Sequence, residues 1–207
     1  PLLGLGAIAV IMCAINPIMG WINTGMYNAL TSMSKTEGLM VPLCALLAGM
    51  MAIDMGGPFN KAAYVFATGL LSTGTDASYM IMAAVMVGGM VPPIAIALST
   101  TFNKNRWTAE ERKNGTVNYI MGLSFITEGA IPYAAGHPLQ VIPASIVGSA
   151  SAGALSALFG CKLMAPHGGI FVFATMAGTW YWYILALAVG SLVSMILLAL
   201  FMKKKSK

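Results

Sequence analysis

The sequence predicts an all-α, polytopic transmembrane helical bundle with re-entrant hairpins and broken helices. Three observations lead there. Charged residues make up 8% of the 207-residue chain and hydrophobic residues 58%, against roughly 25% charged in an average soluble domain. Residues 1–34, 77–103, 129–161 and 163–202 contain no Lys, Arg, Asp or Glu, and about 20 mostly apolar residues cross a bilayer. Glycine and proline interrupt this apolar text, and such interruptions break helices wherever protein or a cavity satisfies the freed backbone.

The elements follow in order. The first apolar stretch, 2–22, is interrupted at Asn16-Pro17, and 24–34 reads as an amphipathic connector. Residues 38–53 form a second, short span, and "DMGGPFNK" at 54–61 is a turn carrying both an acid and a base. The ten residues 62–71 are apolar but too short to cross. They fit the return arm of a re-entrant hairpin. Residues 77–101 are long enough to span and contain "VGGMVPP" at 87–93. A kink is expected there, because Pro92 and Pro93 donate no backbone hydrogen bond. The stretch 103–113, "NKNRWTAEERK", reads as the one clearly soluble internal segment. A span at 138–159 is rich in Gly, Ala and Ser, which let helices approach closely. The last, 180–202, opens on "WYWY", an aromatic start suited to a membrane interface.

The net charge of +5 is placed as in a membrane protein, so no nucleic-acid partner is expected. Lys104, Arg106, Arg112 and Lys113 share one loop, while Lys203, Lys204, Lys205 and Lys207 end the chain. Positive clusters flanking apolar spans mark the cytoplasmic side. With both clusters there, the spans 138–159 and 180–202 supply an even number of crossings. Residues 117–135 must then enter and leave by one face.

That re-entrant stretch holds "SFITEGAIPYAAGHP" at 124–138, with Glu128 between its nearest charges, Lys113 and Lys162. An ionised group at membrane depth costs several kcal/mol unless it faces water or a partner. Gly129 and Pro132 break the helix beside it. A carboxylate next to unwound backbone suits a polyol: it accepts hydrogen bonds from hydroxyls and can take a proton from one as general base. The bland alternative is a carboxylate that caps a buried turn or pairs with a lysine. Asp54 and Lys61 either form a local salt bridge across their turn or, with Asn60, line the same cavity. His167, in "APHGG", either meets a hydroxyl or carboxylate or is a satisfied interfacial histidine. His137 reads as a loop or interface residue, and Asp76 as a helix cap. Cys13, Cys44 and Cys161 lie far apart and, with the two histidines, make no metal-ligand pattern. The 17 methionines read as adaptable packing. No phosphate-binding loop, nucleophile elbow or dinucleotide fingerprint is present, so no metal or cofactor is expected and another component must supply any reactive group.

Three stretches together resemble the fructose-specific membrane component (IIC) of the bacterial phosphoenolpyruvate-dependent sugar phosphotransferase system. They are "MAIDMGGPFNKAAYVFATGLL" (51–71), "GLSFITEGAIPYAAGHPLQVIPASIVGSASAGAL" (122–155) and "LFGCKLMAPHGGIFVF" (158–173). The resemblance covers roughly residues 38–202. It implies a permease subunit of the bacterial cytoplasmic (inner) membrane, multi-pass and homodimeric, with its C-terminus in the cytoplasm. Such a subunit binds fructose from outside and presents it to a phosphorylated IIB domain, itself charged by IIA, so the sugar is phosphorylated during import. The phosphoryl donor sits on IIB, so this chain is one part of a sugar phosphotransferase. Glu128 corresponds to the family's sugar-binding carboxylate and carries the catalytic role, with Thr127 and Gly129 in the same motif. His167, Asn60 and Asp54 carry over as substrate-lining positions.

On this reading residues 1–37 are an apolar helix and connector, 38–202 the transport core and 203–207 a basic cytoplasmic tail. Starting at Pro1 inside apolar text, the chain is expected to be a piece of a longer membrane protein, with a further bundle of spans before it. One departure concerns substrate choice: the family favours an acidic residue near position 137, where this chain has His137. A mannosyl or other ketose-like sugar is the alternative substrate. Two other readings compete: an ion- or proton-coupled secondary sugar carrier with Glu128 as coupling group, since broken helices at the midplane serve there too, and a non-transporting membrane assembly module.

Overall fold

A computed structural model of the chain describes residues 38–203 apart from 177, with isolated positions between 4 and 32. The expected 2–22 span and 24–34 connector fall largely outside the described residues, as does the lysine tail beyond Lys203. Within them every regular element is helical, and the protein is an all-α membrane bundle.

Three helices are long and apolar enough to cross a membrane: α3 (Asp76–Phe102), α7 (Pro138–Leu158) and α8 (Trp180–Phe201). Their bounds lie within a residue of the apolar runs that predict them, because uninterrupted hydrophobicity leaves a helix little else to do in lipid. α3 is the central element; 94% of its most apolar window is buried within the protein, against 50% for α7 and 33% for α8. α7 packs on α8 and on α1 (Met40–Ile53) through small residues. A Cβ added to Gly148 would come within 2.6 Å of the Gly190 carbonyl oxygen, and one added to Gly190 equally close to that of Gly148. The expected small-residue contact is therefore realised at this pair. At the start of α8, Trp180, Tyr181 and Trp182 are exposed, while Tyr183 turns inward and its hydroxyl reaches the Met90 sulfur at 3.6 Å.

α1 and α2 (Pro58–Leu71) have 14 residues each, about 21 Å of helix against a hydrocarbon core of about 30 Å. Neither crosses alone; they form a pair of arms joined by the turn at 54–57. α2 starts at Pro58, four residues earlier than the apolar text at 62 suggests. Proline at the first helical position begins a helix as readily as it breaks one.

The polar stretch 103–113 is not a free loop. A 3-10 turn (Lys104–Arg106) leads into α4 (Ala109–Gly115), which opens on a capping box between Thr108 and Glu111. Trp107 is buried and donates to the Ser99 hydroxyl at 3.0 Å, which docks the segment on α3. Then come α5 (Val117–Leu123), a 3-10 turn (Thr127–Ala130) and α6 (Ile131–Gly136). At seven, four and six residues, none of these pieces is long enough to cross.

Asp76 does not cap α3. Thr75 does so, accepting from the Ser78 N–H at 3.2 Å, while Asp76 pairs with Lys162 at 2.6 Å.

Candidate functional site: a cavity beside Glu128

The proline pair in α3 explains how the site is held. Pro92 and Pro93 lie inside the helix, which continues through them. Lacking N–H groups, they leave the carbonyls four residues back, on Gly88 and Gly89, without their helical donors. Two hydroxyls fill the gap. Ser149 of α7 donates to the Gly88 oxygen and Thr127 to the Gly89 oxygen, each at 2.8 Å. Thr127 is 3% exposed. It fastens the 3-10 turn carrying Glu128 to the middle of α3, and its one hydroxyl proton is engaged there.

The turn at 54–57 is built as tightly. The Asp54 carboxylate accepts from the N–H groups of Phe59 at 2.7 Å and Asn60 at 3.0 Å. These are open donors of the first turn of α2. The Asn60 side chain, 3% exposed, donates back to the Met51 carbonyl at 2.8 Å. Lys61 makes no ion pair with Asp54 and is exposed, so the salt bridge considered for this turn is replaced by a helix cap. Met55 has φ +48° and Phe125 has φ +61°. Among the described residues these are the non-glycine positions in the left-handed region, and each sits in one of the two interrupted segments. Strain of this kind persists only where the surroundings over-determine it.

The two segments meet. A Cβ on Gly56, at φ +126°, would lie 3.0 Å from Glu128 Oε1. The 166–169 stretch closes in from another side: the Tyr64 hydroxyl of α2 donates to the Pro166 carbonyl at 2.8 Å. Phe125 packs against Gly168 and meets the His167 ring edge-on, with centroids 5.8 Å apart.

Glu128 itself is exposed to a cavity of about 630 Å³. Among the described residues its carboxylate has no hydrogen-bond or ion-pair partner, so it neither caps a turn nor pairs with a lysine. The cavity walls add Glu110, Glu111 and Asn114 from α4, Asn118 and Met121 from α5, and Gly129, Pro132 and Tyr133. Asn118 is 2% exposed and its amide nitrogen has no partner among the described residues. Tyr133 donates to the Glu111 carbonyl at 2.9 Å, and Glu111 Oε1 lies 2.9 Å from His137 Nε2. His137 thus joins α4 to the start of α7. The Trp107 ring packs edge-on against both Tyr133 and His137, with centroids 5.6 Å apart in each case.

Of the residues singled out in the sequence, Glu128 and Gly129 line this cavity. Thr127, Asn60 and Asp54 build the two turns that hold it, and His167 lies against Phe125. The reading missed α4 and α5 as walls. The pattern Thr108-x-x-Glu111 was the available signal for an ordered helix in that polar stretch.

An open carboxylate, amide groups and a hydrophobic flank offer acceptors and donors to a polyhydroxylated, uncharged ligand. No family model matches the chain, and no solved structure matches it. Among curated proteins it is 50% identical over 201 residues to a "PTS system fructose-specific EIIB'BC component" of Rhodobacter capsulatus, covering 94% of this chain and 33% of that protein. It is 42% identical over 205 residues to the "Fructose permease IIC component" of Bacillus amyloliquefaciens, covering 98% of this chain and 65% of that protein. A "PTS system fructose-specific EIIC component" of Haloferax volcanii is 46% identical over 175 residues, 84% of this chain and 45% of that protein. The chain thus spans about a third of the Rhodobacter relative's length. Identity at this level over nearly its whole length places the chain in the family of fructose-specific IIC membrane components of the phosphotransferase system.

Proposed function

From that membership we propose that the chain forms the sugar-binding part of a phosphotransferase permease: it holds fructose or a related sugar in the Glu128 cavity and presents it to a phosphorylated IIB domain. The observation that carries this is the unpartnered Glu128 carboxylate, aimed into a cavity and fixed from behind by Thr127 on Gly89. Glu128 accepts a hydrogen bond from a sugar hydroxyl. When that oxygen attacks the phosphoryl group, the new O–P bond forms as the bond to the IIB side chain breaks, and Glu128 takes the hydroxyl proton. Thr127, Gly129, Asn60 and Asp54 act by placing this carboxylate, and His167 by supporting Phe125 beside it.

The cavity shares its wall with α4, whose segment carries Lys104, Arg106, Arg112 and Lys113. On the charge rule this wall faces the cytoplasm, so the conformation is the one from which phosphoryl transfer takes place. The same rule puts the 203–207 tail in the cytoplasm. The 38–202 region is the transport core, in a bacterial cytoplasmic membrane and in a homodimer. Fusion of IIB and IIA modules is named for relatives in the designations EIIB'BC and EIIABC, which supports those domains as partners. An ion-coupled carrier or an assembly module has no comparable support.

Isothermal titration of fructose into the full-length protein tests this reading. Glu128→Gln abolishes or severely weakens binding while the protein still inserts and folds. Wild-type affinity in that variant overturns the assignment.

A further inference from the structure

α4 separates two kinds of charge. Glu110, Glu111 and Asn114 face the sugar cavity, while Arg112 and Lys113 face a second pocket of about 360 Å³, together with Lys104 and the threonines 100, 101 and 116. The ion pairs among the described residues are His137–Glu111 and Lys162–Asp76. The three cations line one pocket whose walls hold no carboxylate among the described residues.

The surroundings point to the anion. The pocket lies at the last turn of α3, a 27-residue helix of about 40 Å, longer than the hydrocarbon core of about 30 Å. That end stands at interface depth. Following the pocket residues Thr101 and Thr116, the chain exposes Phe102 at 69% and Ile120 at 71%. Ile120 follows Thr116 by four residues, the spacing of neighbours on one helix face. A cationic pocket at the interface, flanked by exposed apolar side chains, matches a molecule with a phosphate head and acyl chains. A soluble anion has no use for the apolar flank.

We infer that Lys104, Arg112 and Lys113 form a headgroup site for an anionic phospholipid, with Phe102 and Ile120 along its acyl chains. The lipid steadies the face of α4 that the sugar cavity does not use. This site does not depend on the sugar reading, and its test contains no sugar.

Native mass spectrometry of the full-length protein in nonionic detergent reads it. The probe is an equimolar mixture of phosphatidylglycerol and phosphatidylethanolamine with the same acyl chains. The protein retains phosphatidylglycerol selectively. Each cation removed weakens that retention about fivefold, so Arg112→Gln with Lys113→Gln weakens it about 25-fold, and Lys104→Gln alone about fivefold. Replacing Lys203, Lys204 and Lys205 by glutamine leaves it as in wild type. Equal retention of the two lipids, wild-type retention by the Arg112/Lys113 variant, loss through the tail lysines alone, or displacement of the lipid by millimolar inorganic phosphate each overturns the site. Lys113 is exposed and Arg112 half-buried. Lys104→Gln gives an independent reading should the double variant misfold.

Discussion

The turn at 54–57 and the turn at 127–130 are made from the same parts. Each has a carboxylate four residues ahead of a proline, Asp54 before Pro58 and Glu128 before Pro132, with glycine between. Each goes with a non-glycine residue at positive φ, Met55 within the first turn and Phe125 two residues ahead of the second. Their carboxylates end differently. Asp54 folds back over the start of α2 and accepts from two of its N–H groups. Glu128 lies in a 3-10 turn that runs on into α6: the Ile131 N–H goes to the Glu128 backbone carbonyl and the side chain points away into the cavity. One kit therefore makes a structural cap in one place and an open acceptor in the other. What decides is whether the chain reverses or continues after the acid.

Breaking the comparison at Glu128 has the largest effect. Glu128→Gln removes the charge and keeps the shape, and a charge-assisted hydrogen bond is worth roughly 1.5–3 kcal/mol. Fructose affinity by titration falls about ten- to a hundredfold, with the thermal unfolding midpoint unchanged. Thr127→Val comes next. It leaves the buried Gly89 carbonyl without a donor, at about 1–3 kcal/mol, so the unfolding midpoint drops and sugar affinity falls with it. Gly56→Ala forces a side chain into the left-handed region, costing about 1–2 kcal/mol, and crowds Glu128 Oε1. Its signature is a loss of affinity that Glu128→Gln does not deepen in a double-mutant cycle. Asp54→Ala is the smallest: it loses a helix cap, about 0.5–2 kcal/mol of stability, while fructose affinity stays close to wild type. A loss of binding in Asp54→Ala as deep as that in Glu128→Gln would erase the distinction between the two turns.

Hydrophobic runs made the long helices legible, since α3, α7 and α8 begin and end within a residue of the apolar text. Glu128 stood out for the same reason in reverse, as a lone acid where charge is costly. The partners of each acid could not be read. Asp54 looked open to a salt bridge with Lys61, and only the path of α2 brings the Phe59 and Asn60 N–H groups to it. Asp76 looked like a cap, yet its partner Lys162 is 86 residues away. The cavity wall from α4 was hidden because a polar stretch reads as solvent-facing until Trp107 is seen buried against Ser99. In α3, "VGGMVPP" announced the loss of two hydrogen bonds. That Ser149 and Thr127 replace them is a contact across 61 and 38 residues, beyond the reach of local pattern.

The central claim is that Glu128 holds a sugar for phosphorylation from the cytoplasmic side. The most direct test uses inside-out vesicles containing the full-length protein, loaded with labelled fructose. Phosphorylated IIB is added outside, and the outer medium is assayed for fructose 1-phosphate. The account predicts product that requires both IIB and Glu128. Labelled fructose leaving unmodified, or only when an ion gradient is imposed, would contradict it and identify a secondary carrier.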